Sequence, residues 1–121
     1  MSEENEIKYD VIVDYVVGEI NIKRYYHPEL FLQLWRKQLI TGFTFYRNNI
    51  LYIKTGIEVG GKGEEKEVPA STVLFDIAEE ALGITISNTT LSSTQIVIGE
   101  FKGDTKALLK GAGRIIKLKR R

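Results

Sequence analysis

Residues 56–63 read GIEVGGKG and contain a spacing that could bind phosphate. Gly56, Gly61 and Lys62 reproduce the G-x-x-x-x-G-K pattern of a P-loop, whose backbone N–H groups cradle phosphates at a helix N-terminus. The next position is glycine, so the Ser or Thr that holds magnesium is missing. The residues that follow, EEKEVP, add negative charge and a proline that prevents a continuous helix. We therefore predict a charged hairpin loop here and no nucleotide site.

Residues that could act as nucleophiles, bases or metal ligands are few. The chain has no cysteine, which excludes disulfides, thiol nucleophiles and iron–sulfur sites, and it has one histidine, His27. That histidine precedes Pro28 at a helix start, where it is better placed to cap than to catalyse. No serine lies in a G-x-S-x-G elbow, and Asp14, Asp76 and Asp104 are each free to partner another group. We expect no catalytic residue, metal site or cofactor, and a binding role is favoured over an enzyme.

Charge is distributed unevenly, although the formal net charge is only +1. Positions 1–6 hold three glutamates and are expected to form a flexible acidic N-terminus. Positions 106–121 hold seven Lys or Arg and no acid, and 117–121 form a basic tail. Such cations can contact nucleic-acid phosphates, but more often they complement a helix dipole. The candidates are Lys106, Lys110, Arg114, Lys117, Lys119, Arg120 and Arg121.

The elements that must position these residues follow from hydrophobic periodicity. Alternating apolar residues predict a strand over 6–23 that Gly18 interrupts. His27-Pro28 should open a helix that ends near Gly42, because HPELFLQLW has one apolar face. Strands 43–46 and 50–59 flank the turn residues Arg47-Asn48-Asn49, which predicts a hairpin. Strands 84–87 and 94–101 and an amphipathic helix over 105–121 complete the chain.

Residues 71–82 fit two patterns. Leu74, Ile77 and Ala78 have helical spacing, whereas Val73, Phe75 and Ile77 alternate as in a strand. A helix would give the ferredoxin-like order β-α-β-β-α-β. A strand would give one antiparallel sheet with a helix after strand 1 and an amphipathic helix at the C-terminus. Both readings predict one α+β domain over 1–121.

The order of the predicted elements resembles that of the START/Bet v 1-like (helix-grip) superfamily, especially its small archaeal members. The resemblance is carried by a first strand, the helical stretch YYHPELFLQLW, several strands and the segment TKALLKGAGRIIKLKRR. The resemblance implies a curved antiparallel sheet around the last helix, with an apolar cavity for lipids, sterols or other hydrophobic ligands. The alternative is that the same residues fill a solid core. The cavity candidates are Phe31, Trp35, Phe45, Ile53, Phe75, Leu109 and Ile116.

The expected function is therefore non-catalytic binding of a small apolar ligand between the sheet and the C-terminal helix. The alternative is a ferredoxin-like accessory protein that binds nucleic acid or a protein partner through its basic C-terminus. No apolar run approaches the ~20 residues that span a bilayer, and we expect a cytoplasmic protein. An exposed sheet edge would permit a homodimer. The composition, rich in Ile, Lys and Glu, resembles that of proteins from hyperthermophiles.

Overall fold

The computed structural model describes residues 5–121, which are mostly in strands. The strands are β1 (Glu6–Val13), β2 (Tyr15–Lys23), β3 (Leu39–Arg47), β4 (Ile50–Lys54), β5 (Glu67–Val68), β6 (Thr72–Asp76), β7 (Ala81–Thr85), β8 (Thr89–Thr90), β9 (Gln95–Gly103) and β10 (Ile115–Arg120). The helices are α1 (Pro28–Trp35) and α2 (Thr105–Leu109), and one 3₁₀ turn covers Arg24–Tyr26.

Eight strands close into an antiparallel barrel in the order β1-β10-β3-β4-β7-β6-β9-β2. The first two strands pair as a hairpin, and β10 pairs with both β1 and β3, placing Leu118 opposite Val11 on one side and Ile40 on the other. Closure removes the unpaired edges that an open sheet would expose. β5 and β8 pair separately and form a two-stranded ribbon, β5–β8, on the outside of the barrel.

The barrel interior is filled by apolar side chains from alternate positions of its strands. Tyr9, Ile53 and Phe75 are among the residues with no measurable exposure. α1 follows β2 and covers one end of the barrel, where the Tyr9 hydroxyl lies 2.8 Å from the carbonyl oxygen of Leu34. α2 follows β9 and adds Leu108 to the core at the other end. The strands and the two short helices thus share one continuous core.

A second apolar cluster lies outside the barrel, between the sheet and the ribbon β5–β8. It joins Ile50, Tyr52 and Leu74 from the sheet to Val68 and Leu91, which belong to or follow the ribbon strands. This cluster explains why ILYIK and ALGIT read as nearly continuous apolar runs, since β4 and β7 are buried on both faces. The ribbon therefore buries part of the outer face of the barrel.

The predicted α+β fold is wrong in both its helix-grip and its ferredoxin-like form, because the chain is a closed barrel with two short helices. Residues 71–82 form neither one helix nor one strand: β6 ends at Asp76 and β7 begins at Ala81. Residues 105–121 do not form one amphipathic helix either. Their helical part ends at Leu109, and Ile116 and Leu118 then alternate inward as part of β10.

Several local predictions are confirmed. Asn48 and Asn49 have φ values of 54° and 66°, as a primed two-residue turn requires, and they join β3 to β4. The helix begins at Pro28 as predicted, but it ends at Trp35, well before Gly42, because the chain from Leu39 pairs with β10. Residues 6–23 form two strands instead of one.

The predicted hairpin loop at the glycine-rich segment is wrong: residues 55–66 are irregular, but they connect β4 to β5, which pair with other strands and not with each other. The element that follows them is strand β5, whereas a P-loop leads into a helix. Within the described residues, no helix is long and apolar enough to cross a membrane. Residues 1–4 of the predicted acidic N-terminus lie outside the described residues, and Glu6 begins β1.

Candidate functional site

A pocket of about 280 Å³ opens on the outer face of the barrel. Its walls come from the β3–β4 turn, the β6–β7 turn and the loop between β8 and β9. Three polar side chains at its base are almost fully buried: Tyr52 on β4, Asp76 at the end of β6 and Gln95 at the start of β9, with exposures of 1%, 4% and 8%. Buried polar groups of this kind need partners.

The three side chains form one hydrogen-bond network. The Gln95 amide Nε2 donates to the Tyr52 hydroxyl oxygen at 2.7 Å and to Asp76 Oδ2 at 3.1 Å. Gln95 Oε1 accepts from the backbone N–H of Ser92 at 2.8 Å, and Asp76 Oδ1 accepts from the backbone N–H of Glu79 at 3.1 Å. The network thus joins two strand ends and two loops around the pocket base.

These contacts fix which atom of the Gln95 amide points where. Its nitrogen must face the Asp76 carboxylate, which only accepts, and its oxygen must face the Ser92 N–H, which only donates. The Tyr52 oxygen is therefore an acceptor from Gln95, and its own hydrogen points elsewhere. Within residues 5–121, the Tyr52 hydroxyl donates no hydrogen bond to another residue.

The wall beside Tyr52 is aromatic and charged. Phe45 stacks on Tyr52 with ring centroids 4.8 Å apart, and the Arg47 guanidinium carbon lies 5.5 Å from the Tyr52 ring centroid. Arg47 and Lys54 both bind the Glu79 carboxylate, at 3.0 Å and 3.1 Å. The hydrogen bond from Arg47, followed by that from Lys54, lowers the pKa of Glu79.

Tyr52 stays protonated at neutral pH. Burial, followed by the negative charge of Asp76, raises the pKa of its phenol, and the charge of Arg47 opposes this only in part. The pocket base therefore presents a permanent O–H donor beside a carboxylate acceptor. Such a pair can orient a ligand by two hydrogen bonds. A nucleophile activated by a base is not among the polar groups at the pocket base.

The comparisons with known proteins establish only the fold. No family model matches the chain, and no curated protein matches it. The chain is similar to the solution structure of the hypothetical protein AF2241 from Archaeoglobus fulgidus. The TM-score is 0.71, the identity is 16%, and the match covers 100% of this chain and 98% of that chain. At this identity, the likeness shows the architecture alone.

The seven predicted cavity residues are brought together only in part. Four of them, Phe31, Ile53, Phe75 and Ile116, are buried in the packed barrel core, and Trp35 packs against that core. Phe45 lies on the opposite side of the sheet, in the cluster under the ribbon, and Leu109 is half-buried at the end of α2. The rings of Phe31 and Trp35 stack on α1 with centroids 5.9 Å apart.

The basic candidates lie on different elements. Lys106 and Lys110 lie on or beside α2, and Lys117 and Lys119 point outward from β10. The three arginines are engaged within the fold. Arg114 binds Asp14 at 2.6 Å, Arg121 binds Asp10 at 2.7 Å, and Arg120 lies over the Trp35 ring at 3.9 Å.

The residues considered for catalysis have structural partners. His27 Nδ1 accepts from the N–H of Leu30 and caps α1, while Nε2 lies 2.7 Å from the carbonyl oxygen of Gly60. Asp104 caps α2. Across the described part of the chain, no three acidic or histidine side chains are grouped as metal ligands.

Sequence reasoning singled out Asp76 but missed Gln95. The available signal was that Asp76 ends an apolar run, TVLFD, and that Gln95 begins another, QIVIGEFKG. A polar residue at the end of a buried strand often marks a site. However, only the strand pairing of Asp76 with Gln95 reveals that the two meet.

Proposed function

We propose that this chain is a non-catalytic binding protein that holds a small, neutral, polar molecule in the Tyr52–Asp76–Gln95 pocket. The supporting observation is the buried network at the pocket base, which makes the Tyr52 oxygen an acceptor from Gln95 and leaves its phenolic hydrogen without a partner among residues 5–121. A buried polar group keeps such a donor only when a partner satisfies it, and here the partner would be the ligand.

The charges around the pocket favour a neutral ligand. Two cations, Arg47 and Lys54, accompany two carboxylates, Asp76 and Glu79, so the local charge sums to zero. An anion would find no unpaired cation, because Arg47 and Lys54 both bind Glu79, and it would face the Asp76 carboxylate. A cation such as an ammonium group only donates, so it would leave the Tyr52 hydroxyl without an acceptor, whereas a neutral group that both donates and accepts matches both residues. The volume of about 280 Å³ is at the lower end for ligand pockets and limits the ligand to a compact molecule.

An amide group has the required chemistry. Its carbonyl oxygen can accept from the Tyr52 hydroxyl while its N–H donates to the Asp76 carboxylate, which has unused lone pairs. An apolar cavity between the sheet and a C-terminal helix would need a helix that residues 105–121 do not form.

The experiment is a titration of ¹⁵N-labelled protein with acetamide, acetate and methylammonium, followed by NMR. We expect acetamide, at roughly millimolar affinity, to shift the side-chain amide signals of Gln95. Tyr52→Phe should weaken that binding about tenfold, because it removes one hydrogen bond. Tyr46→Phe is the matched control, since its exposed hydroxyl bonds, within residues 5–121, only to Asn49. Equal binding of the charged probes, or unchanged binding in Tyr52→Phe, would contradict the proposal.

A further inference from the structure

A second region with binding chemistry lies at the barrel end covered by α1, away from the Tyr52 pocket. Its centre is Trp35, the last residue of α1, which is half-buried. Phe31 stacks near its ring, and the Arg120 guanidinium lies 3.9 Å from its ring centroid and donates to its carbonyl oxygen. Trp35 forms a wall of two grooves, one apolar and one cationic.

The apolar groove has a volume of about 450 Å³ and lies along the exposed side of α1. Its apolar lining residues are Pro28, Phe31, Leu32 and Trp35. Leu32 is 50% exposed, so part of its side chain is open to a ligand. This groove offers apolar area to a flexible hydrocarbon group.

The cationic groove has a volume of about 360 Å³ and lies on the other side of Trp35, against Ile7. Arg120 has no carboxylate within ion-pair distance among residues 5–121. Lys8 has only a distant one, since Glu6 is 3.9 Å away and is itself held by Lys23 at 2.6 Å.

Two other charges in this region are already compensated. Arg121 binds Asp10 at 2.7 Å and Glu19 at 2.8 Å. The hydrogen bond from Lys23 keeps Glu6 ionised, and Lys23 also neutralises it. The groove lining thus holds three cations, Lys8, Arg120 and Arg121, and one carboxylate, Glu6, which gives it an excess of positive charge beside Trp35.

We propose that the two grooves bind one anionic amphiphile, a single-chain alkyl carboxylate. Its chain lies along Phe31, Leu32 and Trp35, and its carboxylate is held by Lys8 and Arg120. Charge complementarity selects this occupant, because an apolar groove and a groove with a cationic excess share Trp35 as a wall, which matches a hydrocarbon chain that ends in an anion. The site shares no residue with the Tyr52 pocket, so each can fail without the other.

The test uses the full chain and reads binding directly at the site, because Trp35 is the only tryptophan. Hexanoate, octanoate and decanoate are titrated as monomers while tryptophan fluorescence is followed, with calorimetry for stoichiometry. We expect saturable binding of one molecule, with Kd falling roughly tenfold for each pair of added methylenes. Decanol should bind at least about tenfold more weakly, because it lacks the charge.

Paired variants separate the two grooves from general surface effects. Lys8→Gln and Leu32→Ser should each raise Kd for decanoate about fivefold or more. Their matched controls are Lys117→Gln and Leu39→Ser, which alter an exposed lysine and an exposed leucine outside both grooves and should leave Kd unchanged. Urea unfolding of each variant checks that the barrel remains intact.

Three results would overturn the proposal. The first is no saturable change with decanoate. The second is equal binding of decanol and decanoate, which would remove the anion site. The third is binding to vesicles of anionic lipid without binding of monomeric decanoate, which would make the region a membrane-contacting surface.

Discussion

Exchanging the polar groups of Asp76 and Gln95 tests whether the pocket base is one matched network. Three variants are needed: Asp76→Asn, Gln95→Glu and the two together. Each single change keeps the shape of the side chain but places like groups opposite each other. The double change restores an amide opposite a carboxylate with the positions reversed, so its stability reports on the pairing itself.

The single variants should be clearly destabilised. In Asp76→Asn the side-chain oxygen must still accept from the N–H of Glu79, so the new amide nitrogen faces the amide nitrogen of Gln95. The charge-assisted hydrogen bond from Gln95 is lost, which costs about 2 kcal/mol. In Gln95→Glu two carboxylates meet where the present contact is 3.1 Å, and repulsion adds to the lost bond, for a cost of about 3 kcal/mol.

The double variant should recover most of that loss. The new amide at position 76 can donate to the new carboxylate at position 95, which still accepts from the N–H of Ser92. Independent effects would sum to about 5 kcal/mol, whereas we expect a loss of about 2 kcal/mol. The resulting coupling energy of about 3 kcal/mol is at the upper end for a contacting pair.

Urea unfolding at pH 7 and pH 5 measures these energies. Gln95→Glu should gain stability relative to the wild type as the pH falls, because the folded carboxylate pair binds a proton that the unfolded chain binds less at the same pH. The slope is at most about 1.4 kcal/mol per pH unit. Additivity of the two single effects within about 0.5 kcal/mol would refute the matched network.

Three further predictions concern the fold that supports the pocket. Burial raises the pKa of Tyr9 to about 12, so the unfolded tyrosine ionises first, and stability should fall by about 2 kcal/mol as the pH rises from 10 to 12. Alkaline urea unfolding should show this loss in the wild type and a smaller one in Tyr9→Phe. Gly99→Ala should lower stability by about 3 kcal/mol in thermal unfolding, because a Cβ there would lie 2.0 Å from the carbonyl oxygen of Asn21. Its control is Gly60→Ala, which has open space around it and should change stability by less than about 0.5 kcal/mol. Leu91→Ala should speed hydrogen exchange at the ribbon β5–β8 more than in the barrel, since Leu91 packs between the ribbon and the sheet. Equal acceleration in the ribbon and the barrel would contradict that role.

Local features of the fold could be predicted from the sequence because local chemistry determines them. Asn48 and Asn49 tolerate positive φ, so the β3–β4 hairpin could be predicted from the sequence. His27 and Pro28 likewise define the start of α1, one by accepting from Leu30 and the other by its fixed φ. Both features depend on residues only a few positions apart.

Barrel closure could not be predicted in the same way, because it depends on distant pairing. Leu118 meets Val11 across more than a hundred positions of sequence, and no local pattern records that contact. Ile115 and Ile116 instead completed a helical spacing with Leu108 and Leu109, so β10 was assigned to a helix. This segment forms a strand and not a helix, because Ile116 and Leu118 then fill the barrel interior.

The pocket residues could be predicted from the sequence only in part. Asp76 was named from the sequence as one of three aspartates free to partner another group. The meeting of Tyr52 and Asp76 with Gln95 depends on β6 pairing with both β7 and β9, which follows only from the completed barrel. Gln95 stands at the start of an apolar run, but that position alone does not show which residues it meets.

The most direct test of the binding role is native mass spectrometry of protein purified gently from cell extract, compared with its denatured mass. We expect the wild type and Tyr46→Phe to carry a reproducible small mass excess that disappears on denaturation, and Tyr52→Phe to carry much less. An equal excess in Tyr52→Phe would place the ligand elsewhere on the protein. The absence of any excess, together with no acetamide binding by NMR, would contradict the assignment of a ligand to the Tyr52–Asp76–Gln95 pocket.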